Sequence, residues 1–182
     1  MNVETTQTDD TRLMLLAAAG DREATGTLFE RHHARFYRYF FASTRNRADS
    51  MDAVQDVFDR IIRYGHSFRG GAFLPWAFRI ARNVSLDQNR HRRSRTADFL
   101  DVDPIDSGPL PDGSMEAEEQ HEELRRALDR LLPQYREVLL LSRYADLSYE
   151  EIATALDCSV GAVKVRVHRA LNSLRASYLD VK

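Results

Sequence analysis

Residues 148–178 restrict the possible folds of this chain more than any other stretch. Ser148 and Glu151 have capping-box spacing: the hydroxyl can accept from the Glu151 N–H while the carboxylate reaches back to the Ser148 N–H. Ile152, Ala153 and Leu156 then give a short helix an apolar side. Asp157-Cys158-Ser159 interrupts it, and Ser159 is a good N-cap for a second, basic helix. A short helix, a tight turn and a longer basic helix form a helix-turn-helix.

At about 100° per residue, Val160, Val163, Val167, Leu171 and Leu174 of the second helix fall on one side and are expected to pack inward. Ala162, Val165, Arg169 and Asn172 fall opposite, with His168 beside them and Lys164 and Arg166 on the flanks. Early residues of such a helix reach base edges in the major groove, and flanking cations meet phosphates. Val165, apolar in the middle of a polar face, suits a thymine methyl, and Arg169 a guanine edge. A solvated amphipathic helix is the plainer alternative.

A net charge of −2 argues at first against a nucleic-acid partner, but its distribution argues for one. Residues 1–96 hold 16 Arg against 11 acids, and residues 120–182 are close to neutral. Residues 97–119 hold 8 acids with no Lys or Arg, together with Pro104, Pro109, Pro111, Gly108 and Gly113. This composition predicts a flexible acidic tether between two domains. An acidic tether can also cover basic surfaces, so neutralising Asp98, Asp101, Asp103 and Asp106 is expected to raise the DNA affinity of the free protein.

The first domain reads as helical. A helix over about Thr11–Ala19 ends at Gly20, and Asp21 caps a longer one carrying Leu28, Phe29, Phe36, Tyr37, Phe40 and Phe41 on one side. His33 falls on that side and His32 near it. Adjacent histidines cannot share a metal through helical spacing, so packing or edge hydrogen bonds are expected. Residues 46–50 break the pattern before a helix over about Met51–Arg63, which buries Val54, Val57, Phe58, Ile61 and Ile62. Its other face carries Asp52, Gln55, Asp56, Asp59 and Arg60, and three readings fit it: a solvated face, a dock for a basic partner helix, or a divalent-metal site at Asp52, Asp56 and Asp59.

A loop with Phe68, Gly70 and Gly71 leads into a helix with Pro75 in its first turn. Phe73, Ala77, Ile80, Ala81 and Val84 face one way, while Arg79, Arg82, Asn83, Leu86 and Arg90 face the other. Planar groups beside an arginine stripe suit single-stranded nucleic acid. Phe73 is expected in the core, and Phe68, in the loop, is the better candidate to meet a base. Asp87 lies toward the buried side as a partner for a nearby arginine.

The run Leu13–Ala19 is too short to span a bilayer, and the acids upstream of it do not suit a signal peptide. The single cysteine, Cys158, excludes an internal disulfide and suits a reducing cytoplasm. No nucleophile–base pair, phosphate-cradling glycine loop or zinc-ligand spacing points to an enzyme or a cofactor.

Gly20-Asp21 with Ala24 and Phe29, then Asp52 to Phe58, then Phe68-Arg69-Gly70, Trp76 and Arg79 to Asn83 resemble region 2 of the extracytoplasmic-function sigma factors. Leu131-Leu132-Pro133, Leu147 to Ala153 and Gly161 to Lys164 are similar to their region 4. The resemblance covers roughly residues 11–95 and 120–178. It implies an all-α chain of two helical domains, region 2 in 1–96 and region 4 in 120–182, joined by the linker 97–119. It further implies a cytoplasmic bacterial transcription initiation factor that binds core RNA polymerase and promoter DNA, without entering a membrane.

By position, Asp52, Gln55, Asp56 and Arg60 would dock on polymerase. Phe68 and Asn83 would capture an unstacked base of the −10 element, flanked by Arg79, Arg82 and Arg90. Ser159, Ala162, Lys164, Val165, Arg166, His168 and Arg169 would contact the −35 element. The family often works with an anti-sigma factor, though no residue here signals one. Ala162 and Val165 stand where relatives commonly have threonine and serine, so the −35 sequence preference does not carry over. Fully extended, the tether reaches roughly 75–80 Å, enough for the spacing of two promoter elements, on the order of 55–60 Å. Two other readings stay open: a helix-turn-helix regulator acting without polymerase, and a metal-dependent nuclease.

Overall fold

The computed structural model describes residues 3–98 and 126–179, with side chains placed for 9–90 and 126–176. Every regular element among these residues is helical. Helix α1 spans Val3–Ala18 and closes at Gly20, whose φ of 97° is left-handed. The Asp21 N–H returns to the Leu16 carbonyl and the Gly20 N–H to Ala17, the paired bonds that finish a helix through a glycine. Asp21 then caps α2, Arg22–Thr44, its carboxylate accepting from the Glu23 and Ala24 N–H groups at 2.9 and 3.1 Å. The chain turns at Arg45 (φ 56°), and the Asn46 side chain accepts from the Asp49 N–H to open α3, Arg47–Tyr64. The helix expected from Met51 thus starts four residues earlier, because an asparagine cap and a buried Ser50, bonded to Thr44 and the Asn46 carbonyl, supply what apolar periodicity does not.

A 3₁₀ turn at Gly65–Ser67 follows α3. Gly65 is buried, and a Cβ there would stand 3.0 Å from Met14 Cε and 3.3 Å from the Ala18 backbone, so α1 passes close only over a glycine. Helix α4 runs unbroken from Phe73 to Asp98, two residues into the expected tether. The other tether residues, including Asp101, Asp103 and Asp106, lie outside the described residues.

After a helical turn at 126–129, α5 (Pro133–Arg143) begins with Pro133 in its first turn, where the missing N–H costs nothing. Helix α6 spans Tyr149–Ala155 and opens with the expected capping box: Ser148 Oγ accepts from the Glu151 N–H at 3.2 Å, and Glu151 Oε2 from the Ser148 N–H at 2.9 Å. Asp157, at φ 52°, takes the left-handed place in the turn while the Cys158 N–H returns to the Ala153 carbonyl. Ser159 Oγ then accepts from the Ala162 N–H to cap α7, Val160–Leu179.

The fully buried Phe36, Phe40, Phe73 and Phe78, with Leu28, Val57 and Ile61, fill the space between α2, α3 and α4. Val138, Leu141, Ile152, Val163 and Val167 fill that between α5, α6 and α7. Helix α4 packs on α3 and also on α6, and α2 meets α5, so the buried residues form one continuous apolar cluster.

Several expectations about faces need correcting. Ile62 and Leu171 were expected inside, yet they are 56% and 38% exposed; Ile61 and Ala170, one position earlier, take the core positions. Phe29 is also exposed, and Phe41 only half-buried. Of the two histidines, His32 is the buried one, and His33 stacks on Phe29 at the surface with centroids 5.0 Å apart. In each case the neighbouring helix covers a stripe rotated from the one that composition suggests.

Candidate nucleic-acid interface

Two basic faces carry the candidate contacts. On α7, Lys164, Val165, His168 and Arg169 are exposed on one side, while Val163, Val167 and Ala170 are buried on the other. Val165 is 49% exposed despite its apolar side chain. On the same side, the Asn172 amide nitrogen lies 3.0 Å from His168 Nε2, tying the two side chains together. The remaining expected contacts are partly committed elsewhere. Ser159 Oγ is occupied as the cap, Ala162 is half-buried, and Arg166 Nη1 lies 3.9 Å from Cys158 Sγ across the turn. Cys158 is likewise half-buried and serves as packing for the turn.

On α4, Arg79, Asn83, Leu86 and Arg90 are exposed and Arg82 half-buried, as the helical spacing predicts. Arg79 Nη2 donates to the Thr154 carbonyl at 2.8 Å, and Arg82 Nε pairs with Glu137. Phe68 is only 6% exposed and meets Trp76 edge-on, with centroids 5.2 Å apart. Directly after the 3₁₀ turn over Gly65–Ser67, it is buried against Trp76 of α4 and not open in the loop as expected.

On α3, Asp52 and Gln55 are exposed. Arg60 is held between Asp56 at 2.9 Å and Asp87 at 3.0 Å, the arginine partner expected for Asp87. Burial tends to lower the Arg60 pKa, and the two carboxylates outweigh it, so its charge is held more firmly than usual. With Asp56 engaged this way, Asp52, Asp56 and Asp59 do not converge; no cluster of three metal-binding side chains occurs among the described residues. Beside this face lies a groove of about 600 Å³ between α2 and α3, lined by Phe29, His33, Tyr37, Met51 and Val54 and edged by Asp52 and Gln55. Sequence reasoning missed it. Its signal was present in Met51, an apolar residue on the outer side of an amphipathic helix.

Among the described residues no helix is long and apolar enough to cross a membrane. Residues 28–95 match the family model for sigma-70 region 2, and residues 121–174 that for sigma-70 region 4. The chain is 34% identical to RNA polymerase sigma factor CarQ of Myxococcus xanthus, over 86% of this chain and 90% of that one. It is 32% identical to the ECF RNA polymerase sigma-E factor of Escherichia coli K12, over 92% and 93% of the two chains. With ECF RNA polymerase sigma factor SigE of Mycolicibacterium smegmatis it shares 32% identity over 87% of its own length, spanning 64% of that longer relative.

Two solved structures have the same architecture. CnrH, in complex with the cytosolic domain of CnrY, superposes with a TM-score of 0.72 at 26% identity, over 96% of this chain and 99% of that one. The sigma factor RpoE from Bartonella quintana, in complex with the anti-sigma factor NepR, gives 0.65 at 25% identity, over 86% and 97%. With both regions matched in order and relatives covered nearly end to end, the chain belongs to the extracytoplasmic-function sigma factors of the sigma-70 family.

Proposed function

We propose that this sigma factor divides its work among three surfaces: α3 docks on core RNA polymerase, α4 captures the separated −10 strand, and α7 reads the −35 duplex. The supporting observation is that one chain carries two separate arginine-bearing faces, on α4 and on α7, and that α3, packed against α4, turns Asp52 and Gln55 outward. Residues 1–96 form the polymerase and −10 unit, 97–119 the linker, and 120–182 the −35 unit. Asp52, Gln55, Asp56 and Arg60 meet polymerase. Arg79, Arg82 and Arg90 hold phosphates, Asn83 bonds an unstacked base, and Phe68 steadies Trp76 on the same helix.

On α7, Lys164 and Arg166 meet phosphates while Val165, His168 and Arg169 face base edges, with Ser159 and Ala162 at the helix entry. The protein works in the cytoplasm, where its polymerase is, by binding and without a reaction of its own. An anti-sigma factor, such as NepR in its complex with RpoE of Bartonella quintana, is a fitting regulator. A regulator acting without polymerase would leave the α3 and α4 faces without a task.

Run-off transcription on genomic fragments tests the whole assignment: added protein should direct core polymerase to new start sites, and no new transcript would refute it. Arg169→Ala should weaken −35 binding by about 1–3 kcal/mol, read as footprint titration, if the guanidinium bonds a guanine edge. An unchanged footprint removes that role. Asn83→Ala should leave polymerase binding intact and reduce promoter opening; permanganate reactivity equal to that of the unaltered protein contradicts strand capture.

A further inference from the structure

The loop between the 3₁₀ turn and α4 has little packing to hold its shape. Phe68 is buried against Trp76 at one end, and Phe73 enters the core at the other. Between them Arg69, Gly70 and Gly71 are exposed. Both glycines are left-handed, at φ 90° and 87°, and a Cβ on either would meet nothing within 4 Å. Left-handed glycines allow a sharp turn but lose the most freedom on ordering, so such a loop needs a specific anchor.

The anchor comes from 60 residues away, where Thr11 Oγ1 of α1 donates to the Gly71 carbonyl at 2.7 Å. The donor is itself firmly held. Asp10, the preceding residue, is 2% exposed and bonds both His32 and Arg31 of α2. Met14, less than a turn further on, is fully buried and packs against Gly65. The His32 ring also lies against Phe73, with centroids 5.3 Å apart. The start of α1 and its partner on α2 thus grip both ends of the segment 65–73, and Thr11 reaches its exposed middle. That segment stands at the head of the strand-capturing face. Trp76, on which Phe68 packs, and Asn83 are about two turns apart on one side of α4.

We infer that Thr11 is a positioning residue for strand capture: its hydroxyl fixes the loop 69–72 at the head of the α4 face and so sets how closely the unstacked −10 base is fitted. The inference rests on the strand-capture reading of α4. It gives a task to α1, which none of the three proposed surfaces uses.

The test compares Thr11→Val, which keeps the shape and loses the hydroxyl, with Thr11→Ser, which keeps the hydroxyl. Amide exchange at Gly70–Ala72 in the free full chain should quicken about fivefold in Thr11→Val, the factor that one net hydrogen bond of about 1 kcal/mol supplies. Thr11→Ser should exchange like the unaltered protein. With core polymerase, run-off yields are then measured on one promoter in which each non-template −10 base is changed in turn. The ratio of yields between the best and the worst base should narrow, by up to about fivefold, in Thr11→Val and recover in Thr11→Ser. A merely structural loss would lower the yields for all bases alike and leave the ratio unchanged. If circular dichroism shows lost helicity in Thr11→Val, Gly71→Ala replaces it in both measurements, since it leaves α1 intact and strains the loop at φ 87°.

Unchanged exchange in Thr11→Val, or equally fast exchange in Thr11→Ser, overturns the anchor. A faster loop with an unchanged yield ratio overturns the positioning role, provided that Asn83→Ala narrows that ratio. If Asn83→Ala leaves the ratio unaltered as well, it is the strand-capture reading that falls. The anchoring of the loop, read by exchange without DNA or polymerase, is decided independently.

Discussion

Phe36→Ala should lower stability by about 3–5 kcal/mol, the cost of emptying a large aromatic site in a closed core. Phe36 has no exposed surface and is where three helices meet: its ring stands edge-on to Phe58 of α3 at 5.6 Å and against Phe78 of α4 at 4.6 Å. The surrounding residues, Phe40, Val57 and Phe73, are themselves buried, so the space cannot collapse without moving a helix. For a chain of this size the melting temperature should fall by roughly 6–20 °C. Phe29→Ala, about two turns toward the N-terminus and 42% exposed, should cost only about 1 kcal/mol from its lost ring contacts. Thermal melts of both variants followed by circular dichroism give the comparison. Equal losses would mean that α2 does not present the Phe36 side to the core. Because Phe36 joins α3 to α4, its loss also loosens the spacing between the acidic face and the Arg79–Arg90 face.

Asp10→Ala is expected to cost about 2–3 kcal/mol, because it strips a nearly buried carboxylate from two partners that remain. Asp10 is 2% exposed, with Oδ2 at 2.8 Å from His32 Nε2 and Oδ1 at 2.9 Å from Arg31 Nη1; Asp9 also meets Arg31, at 2.7 Å. This network anchors α1 to α2 over the His32 ring, which in turn lies against Phe73. Burial by itself would raise the Asp10 pKa. The hydrogen bond and charge of His32, followed by those of Arg31, outweigh it and hold the carboxyl below its ordinary value.

The sign of the pH dependence follows. A carboxyl depressed in the folded state contributes stability that is complete above its unfolded-state value, near 3.8, and is lost as pH falls toward its folded value. Denaturant midpoints measured from neutral pH downward should therefore fall more steeply below about pH 4 in the unaltered protein than in Asp10→Ala. Parallel curves would show that the carboxylate is not held by these partners.

How much was legible beforehand depended on the range of the interaction. The helix-turn-helix was readable because its parts act within a few residues. Ser148 and Glu151 close a capping box three positions apart, and Ser159 reaches the Ala162 N–H. The Asp21 cap was readable for the same reason. Helical phase also placed Lys164, Val165, His168 and Arg169 on one exposed side, and Arg79, Asn83 and Arg90 on another. Phase became unreliable where two apolar residues are adjacent, as at Ile61-Ile62. The chain offers both, and only the position of the neighbouring helix selects one.

Sequence alone determined the helix caps at Asp21, Ser148 and Ser159, which faces are polar, and which family of initiation factors the chain resembles. Each depends on residues within a turn or two of one another, or on their order along the chain. Tertiary structure decided that Phe68 is buried against Trp76, that His32 and not its neighbour finds Asp10, and that Phe29 and Met51 frame a groove. It also brought Arg82 to Glu137, 55 residues away. Such pairings depend on how helices are set against one another, and that setting follows from the summed fit of many side chains, which local spacing does not encode.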